Sequence, residues 1–238
     1  MIAWPTSKVV ASPDSAATHT RVKPRLDLRA ITGSLRAVEA DFESINKGLT
    51  VPRDPMCSEL VDNLITGYEY ADALVQSDVD LLARGSSRHL LQLNSLVLWG
   101  SNSVDIHARE IQLRETERHF YNDASSGGVR SLMNYVADHD GVNIWALSAG
   151  LYVHILTAPQ LFIEGNHRTA ALIVSQVLAR AGKPPVVLTE ANSKRYFELS
   201  SLLKGCRKRG LRGVLEIPKL RRRLARFLED EADPRFLS

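Results

Sequence analysis

The sequence predicts an all-α fold. Apolar residues recur at three- and four-residue intervals along most of the chain, and helix-capping and helix-breaking residues bracket those runs. A single stretch departs from this pattern, and it is expected to hold a small β-hairpin.

Residues 1–29 are rich in Ser, Ala, Thr and Pro without apolar period, and read as a flexible N-terminal arm. The first helical run follows, with Leu35, Val38, Phe42 and Ile45 on one face and Gly48 and Pro52 as its stop. A second covers residues 56–75 through Leu60, Leu64, Tyr68, Ala71 and Leu74. A third is carried by Leu90, Leu93, Leu96 and Val97 and ends at Gly100.

Residues 101–128 are more polar, have weak period and end in Ser-Ser-Gly-Gly. They read as an irregular segment with a short β-hairpin within 111–121. Helical period returns over 129–136. Asn143 is then a good N-cap for a helix over 144–157, with Pro159 beyond its end. Another helix is expected over 169–181, closed by Gly182 and Pro184-Pro185, and a further one over 190–203. From residue 206 the chain reads as a basic C-terminal helical extension to 238. Its Arg221-Arg222-Arg223 run is either a solvated face or a contact for nucleic acid or an acidic partner.

Composition bounds the function. The 238 residues are 44% hydrophobic and 24% charged, which supports a packed core, and 30 Lys+Arg against 27 Asp+Glu leave a net charge of only +3. That mild balance does not by itself argue for nucleic acid, which is not the expected partner. Two cysteines without ligand-like spacing fit a reducing compartment. The N-terminus has no secretory h-region, and no stretch approaches the roughly 20 apolar residues that span a bilayer. The expectation is a cytoplasmic protein without membrane contact; a homo-oligomer is left open.

The chemistry concentrates between the two best helices, in Glu164-Gly165-Asn166-His167-Arg168. Gly165 lets backbone approach a ligand closely. The residues after it enter a helix N-terminus, whose unpaired N–H groups favour an anion. Arg168 adds a bidentate fork suited to phosphate. Asn166 can bond the loop or a phosphate oxygen, and Thr169 follows on the first turn. Glu164 has the sign needed to hold a Mg²⁺ that bridges phosphates. Phe162 would anchor the loop.

Phe162-Ile163-Glu164-Gly165-Asn166-His167-Arg168-Thr169 resembles the motif of the Fic/Doc (Fido) domain family, H-x-F-x-[D/E]-G-N-G-R-x-x-R, and Leu151-Tyr152 with His154 are placed as in the helix that leads into it. The resemblance implies a helical domain over 30–205 with a β-hairpin flap. The activity it implies is transfer of AMP, or of a related nucleotidyl or phosphoryl group, from ATP or another nucleotide with Mg²⁺. The acceptor would be a hydroxyl on a protein or small-molecule target. Such a flap would fall within 111–126, with Tyr121 and Asn122 near its tip; an ordinary surface loop explains the same residues.

The pattern breaks at four places. The family's catalytic His falls on Gln160, whose amide does not titrate near neutral pH, so ordinary AMP transfer is expected to be slow or absent. The second glycine falls on His167, which raises phosphoryl transfer with His167 as the replacement base; equally, it contacts solvent or phosphate passively. The last Arg falls on Ala171. Residues 34–48 are similar to the family's inhibitory helix, but the inhibitory Glu position is Lys47, which also reads simply as a helix C-terminal cation. His154, the other candidate base, reads as a structural histidine. The alternative to an enzyme is a catalytically inactive binding module.

Overall fold

The computed structural model describes residues 23–101, 106–122, 127–208 and 211–238. Residues 1–22, most of the expected arm, lie outside that set. The chain is all-helical: among the described residues there is no β-strand, only two isolated bridges, Leu26 to Leu237 and Ala158 to Arg207. Among the described residues ten α-helices follow in order: α1 Leu28–Ala40, α2 Phe42–Lys47, α3 Ser58–Gln76, α4 Ser87–Trp99, α5 Ile106–Phe120, α6 Val129–Asp138, α7 Ile144–Leu156, α8 Asn166–Arg180, α9 Glu190–Lys204 and α10 Leu211–Asp230.

The centre of the core is α8, whose residues from Thr169 to Ala179 are all buried. A helix buried on every side must be enclosed by others. It packs on α7, α3 and α4, while α10 covers α7 and α9 closes against α1, α2, α7 and α10. Asn143 caps α7 as expected, its side chain accepting from the Trp145 N–H at 2.8 Å. The α3–α8 crossing is close because Gly67 has no side chain; a Cβ there would collide with Leu172. Gly67→Val is therefore expected to destabilise by about 1–3 kcal/mol through overpacking, visible as a lower Tm.

Three expectations need correction. Residues 106–120 form α5 where a hairpin over 111–121 was expected. The stretch is rich in helix formers, Glu110 and Arg114 pair at 3.3 Å one turn apart, and no β-branched run exists to favour a strand. Only Thr116 and Phe120 are buried in it, so the apolar period that would reveal a helix is faint. The rest of the expected flap, residues 123–126, lies outside the described set. Second, the expected first helix divides at Asp41 into α1 and α2.

Third, the described part of the expected arm, from residue 23, and the C-terminal segment both join the core. Asp27 caps α1, and Leu26 is buried beside the C-terminal Phe236. The supposed extension packs through α10, with Leu220, Leu224, Phe227 and Leu228 buried, and Asp230 and Glu231 each pairing with Arg195 at 3.0 Å. No helix among the described residues is long and apolar enough to cross a membrane.

Candidate functional site

The loop between α7 and α8 is built by asparagines. Gly165, at the N-cap of α8, takes φ 72°, ψ 7°, in the left-handed region that side chains disfavour. A Cβ would also meet Asn94 Nδ2 at 3.1 Å. Asn166 turns inward, 4% exposed. Its Oδ1 accepts from the Phe162 N–H at 2.9 Å, and its Nδ2 donates to the Phe162 carbonyl at 2.8 Å and to Gln160 Oε1 at 3.3 Å. From α4, Asn94 Nδ2 donates to the Glu164 carbonyl at 2.9 Å and to Thr169 Oγ1 at 3.0 Å. Phe162 is buried and stacks on Phe120 of α5, centroids 5.5 Å apart, so it anchors the loop as expected.

These bonds fix the turn but leave the helix end open. No side chain caps α8, so the helix-end N–H groups and the macrodipole are directed at whatever lies ahead of it. Helix α8 starts at Asn166, earlier than the expected 169, because the left-handed Gly165 lets the chain enter helical geometry immediately.

The sequence-predicted residues divide into three groups. His167 and Arg168 line a cavity of about 240 Å³ together with Ala171. Asn166 and Thr169 face the core. Glu164 is exposed on the α5 side, where its Oε2 accepts from Gln112 Nε2 at 3.2 Å. Gln160 donates through Nε2 to the Leu156 carbonyl at 3.0 Å.

The cavity has a mainly apolar wall, including Phe42, Met56, Leu60, Leu64, Leu188 and Phe197, into which three nitrogen-rich groups intrude. Arg168 is largely buried, and its Nη1 donates to the Val97 carbonyl at 2.5 Å, at the C-terminal end of α4 where a cation is favoured. Burial holds its pKa below the usual guanidinium value. Arg53, from the segment between α2 and α3, donates to the Phe197 carbonyl at 3.0 Å and to the hydroxyls of Ser200 and Ser201, each at 2.8 Å. Both ring nitrogens of His167 are buried without a hydrogen-bond partner. Burial, reinforced by the charges of Arg53, Lys204 and Arg168, pushes its pKa down to about 4. The imidazole is neutral at pH 7, available as donor and acceptor but weak as a base.

Sequence reasoning missed Arg53, Asn94 and the aromatic wall. Arg53 and Phe197 lie far from the motif in the chain, and no local pattern marks them. Lys47 faces solvent and pairs with Glu43 at 2.7 Å, so neither it nor Ala171 contributes an ion pair to the cavity.

A lone carboxylate such as Glu164 suits Mg²⁺, which takes one or two carboxylates and completes its shell with water and phosphate oxygens. Among the described residues there is no group of three or more His, Cys, Asp or Glu arranged to hold a metal ion. His154 stands apart from this cavity, against Tyr135 of α6. The chain matches no protein-family model, and comparison with curated proteins finds no match.

Proposed function

We propose that this chain is a Fic-like protein that binds a nucleotide or another phosphate-bearing ligand where α8 begins. The observation that carries this reading is the meeting of an uncapped helix N-terminus with a cavity holding Arg168, Arg53 and an unpartnered imidazole. Helix-end amides and guanidinium groups recognise phosphate oxygens, and the apolar wall would receive the base or another organic body. Glu164 would hold Mg²⁺, which when bound neutralises phosphate charge.

Any transfer to a hydroxyl, nucleotidyl or phosphoryl, would be altered from the usual chemistry. Gln160 cannot take a proton, and His167 is a poor base at its depressed pKa. The second reading, a binding module without turnover, is favoured by one observation: the Gln160 side chain is engaged by Leu156 and Asn166 as part of the loop framework.

Thermal unfolding with ATP, AMP and pyrophosphate, each with and without Mg²⁺, tests binding. Stabilisation of about 2.7 kcal/mol is expected at a hundredfold excess over Kd, and Arg168→Gln should abolish most of it. No shift with any of these ligands overturns the proposal. Incubation with labelled ATP and candidate hydroxyl targets then separates the two readings: label transfer that His167→Ala removes supports an enzyme, and binding without transfer supports the module.

A further inference from the structure

A second cavity, of about 410 Å³, shares no lining residue with the first. Its polar wall includes Tyr135 of α6, His139 at the C-cap of α6, His154 of α7, Lys208, and Arg221 of α10. Its lining contains no Asp or Glu among the described residues. Two formal cations and two imidazoles thus converge from four separate parts of the chain.

The groups are held in place. His139 Nδ1 contacts the Tyr135 carbonyl at 2.8 Å, and Arg221 Nη1 lies 3.3 Å from His139 Nε2. A carbonyl only accepts and a guanidinium only donates, so in this arrangement Nδ1 donates and Nε2 accepts. The Tyr135 and His139 rings stack with centroids 4.0 Å apart. Lys208 Nζ donates to the Pro159 carbonyl at 2.9 Å, and burial lowers its pKa to about 8, which leaves it mostly charged at neutral pH. The Tyr135 hydroxyl and His154 Nε2 are buried without a partner in hydrogen-bonding geometry. Tyr135 can lie there because Gly150 leaves the space; a Cβ at 150 would overlap its hydroxyl.

A positive wall with unmet hydrogen-bonding groups is the complement of an oxyanion. A guanidinium fork and an ammonium point charge are the pair that recognises phosphate. The stacked rings with Val153 and Ile217 offer an apolar surface for a compact organic group, and the volume falls in the usual range for small-ligand sites. We propose that this cavity is a second binding site, for a small phosphate monoester, with Arg221 and Lys208 on the phosphate and Tyr135 and His154 as neutral hydrogen-bonding groups.

The test is titration of the full chain with phenyl phosphate and with inorganic phosphate, followed calorimetrically and through the ring NMR signals of His139 and His154. Both signals are expected to shift on saturation. Arg221→Gln and Lys208→Gln should each weaken binding by about tenfold or more. Arg222→Gln, an exposed neighbour on α10, should leave it unchanged. Unchanged histidine signals overturn the proposal, and so does binding that survives both cavity variants. Binding lost with Arg168→Gln instead returns the phosphate to the first cavity and also overturns this one. Should one cavity variant fail to fold, shown by circular dichroism, the other carries the same comparison.

Discussion

Asn166→Ala is expected to lower the unfolding free energy by about 2–4 kcal/mol and to loosen the loop ahead of α8. The side chain is buried and satisfies both the N–H and the carbonyl of Phe162 while touching Gln160. Alanine removes these partners and leaves the Phe162 main chain buried and unpaired, which costs about 1–3 kcal/mol for each such group. Denaturant unfolding measures the total, and hydrogen exchange at the Phe162 amide measures the local part. An unchanged midpoint with that amide still protected would contradict the role given to Asn166.

The second large effect is acid destabilisation through two buried imidazoles. Burial lowers His167 to about 4 and His154 to about 3, the latter with help from the Lys208 charge. In the unfolded chain each takes a proton near 6.5. Between the two values the unfolded state binds more protons, so stability rises with pH there and is fully present above about 6.5. It is lost as pH falls toward 4, by an amount on the order of 3 kcal/mol for His167 and somewhat more for His154. Unfolding curves at pH 7.5, 6 and 4.5 should show this decline. His167→Asn and His154→Gln should each flatten it, whatever they do to stability at neutral pH. Parallel slopes for wild type and both variants would show that neither imidazole is held neutral by the fold.

Local features were legible without coordinates. Asn143 marked the start of α7, Gly100 and Gly182 marked helix ends, and the apolar period outlined α3, α4, α6, α7 and α9. Each signal lies within a few residues of what it governs. Helix α5 escaped because it buries only two side chains, and the break at Asp41 because the apolar period runs through it. The packing of α10 on α7 escaped because a basic helix looks the same in sequence whether its apolar stripe is covered or not.

The candidate site shows the same division. The motif residues announced a loop opening onto a helix, and Gly165 adopts the left-handed geometry that such a turn requires. The tertiary structure alone decided which side chains face a ligand. It sent Asn166 and Thr169 inward, set Glu164 apart from His167 and Arg168, and added Arg53 and Phe197 from remote segments. Sequence by itself determined the helices and the turn, since backbone preference and apolar spacing act over one or two turns. Cavity lining and imidazole pKa depend on burial and on charges brought together across the whole chain, so only the fold sets them.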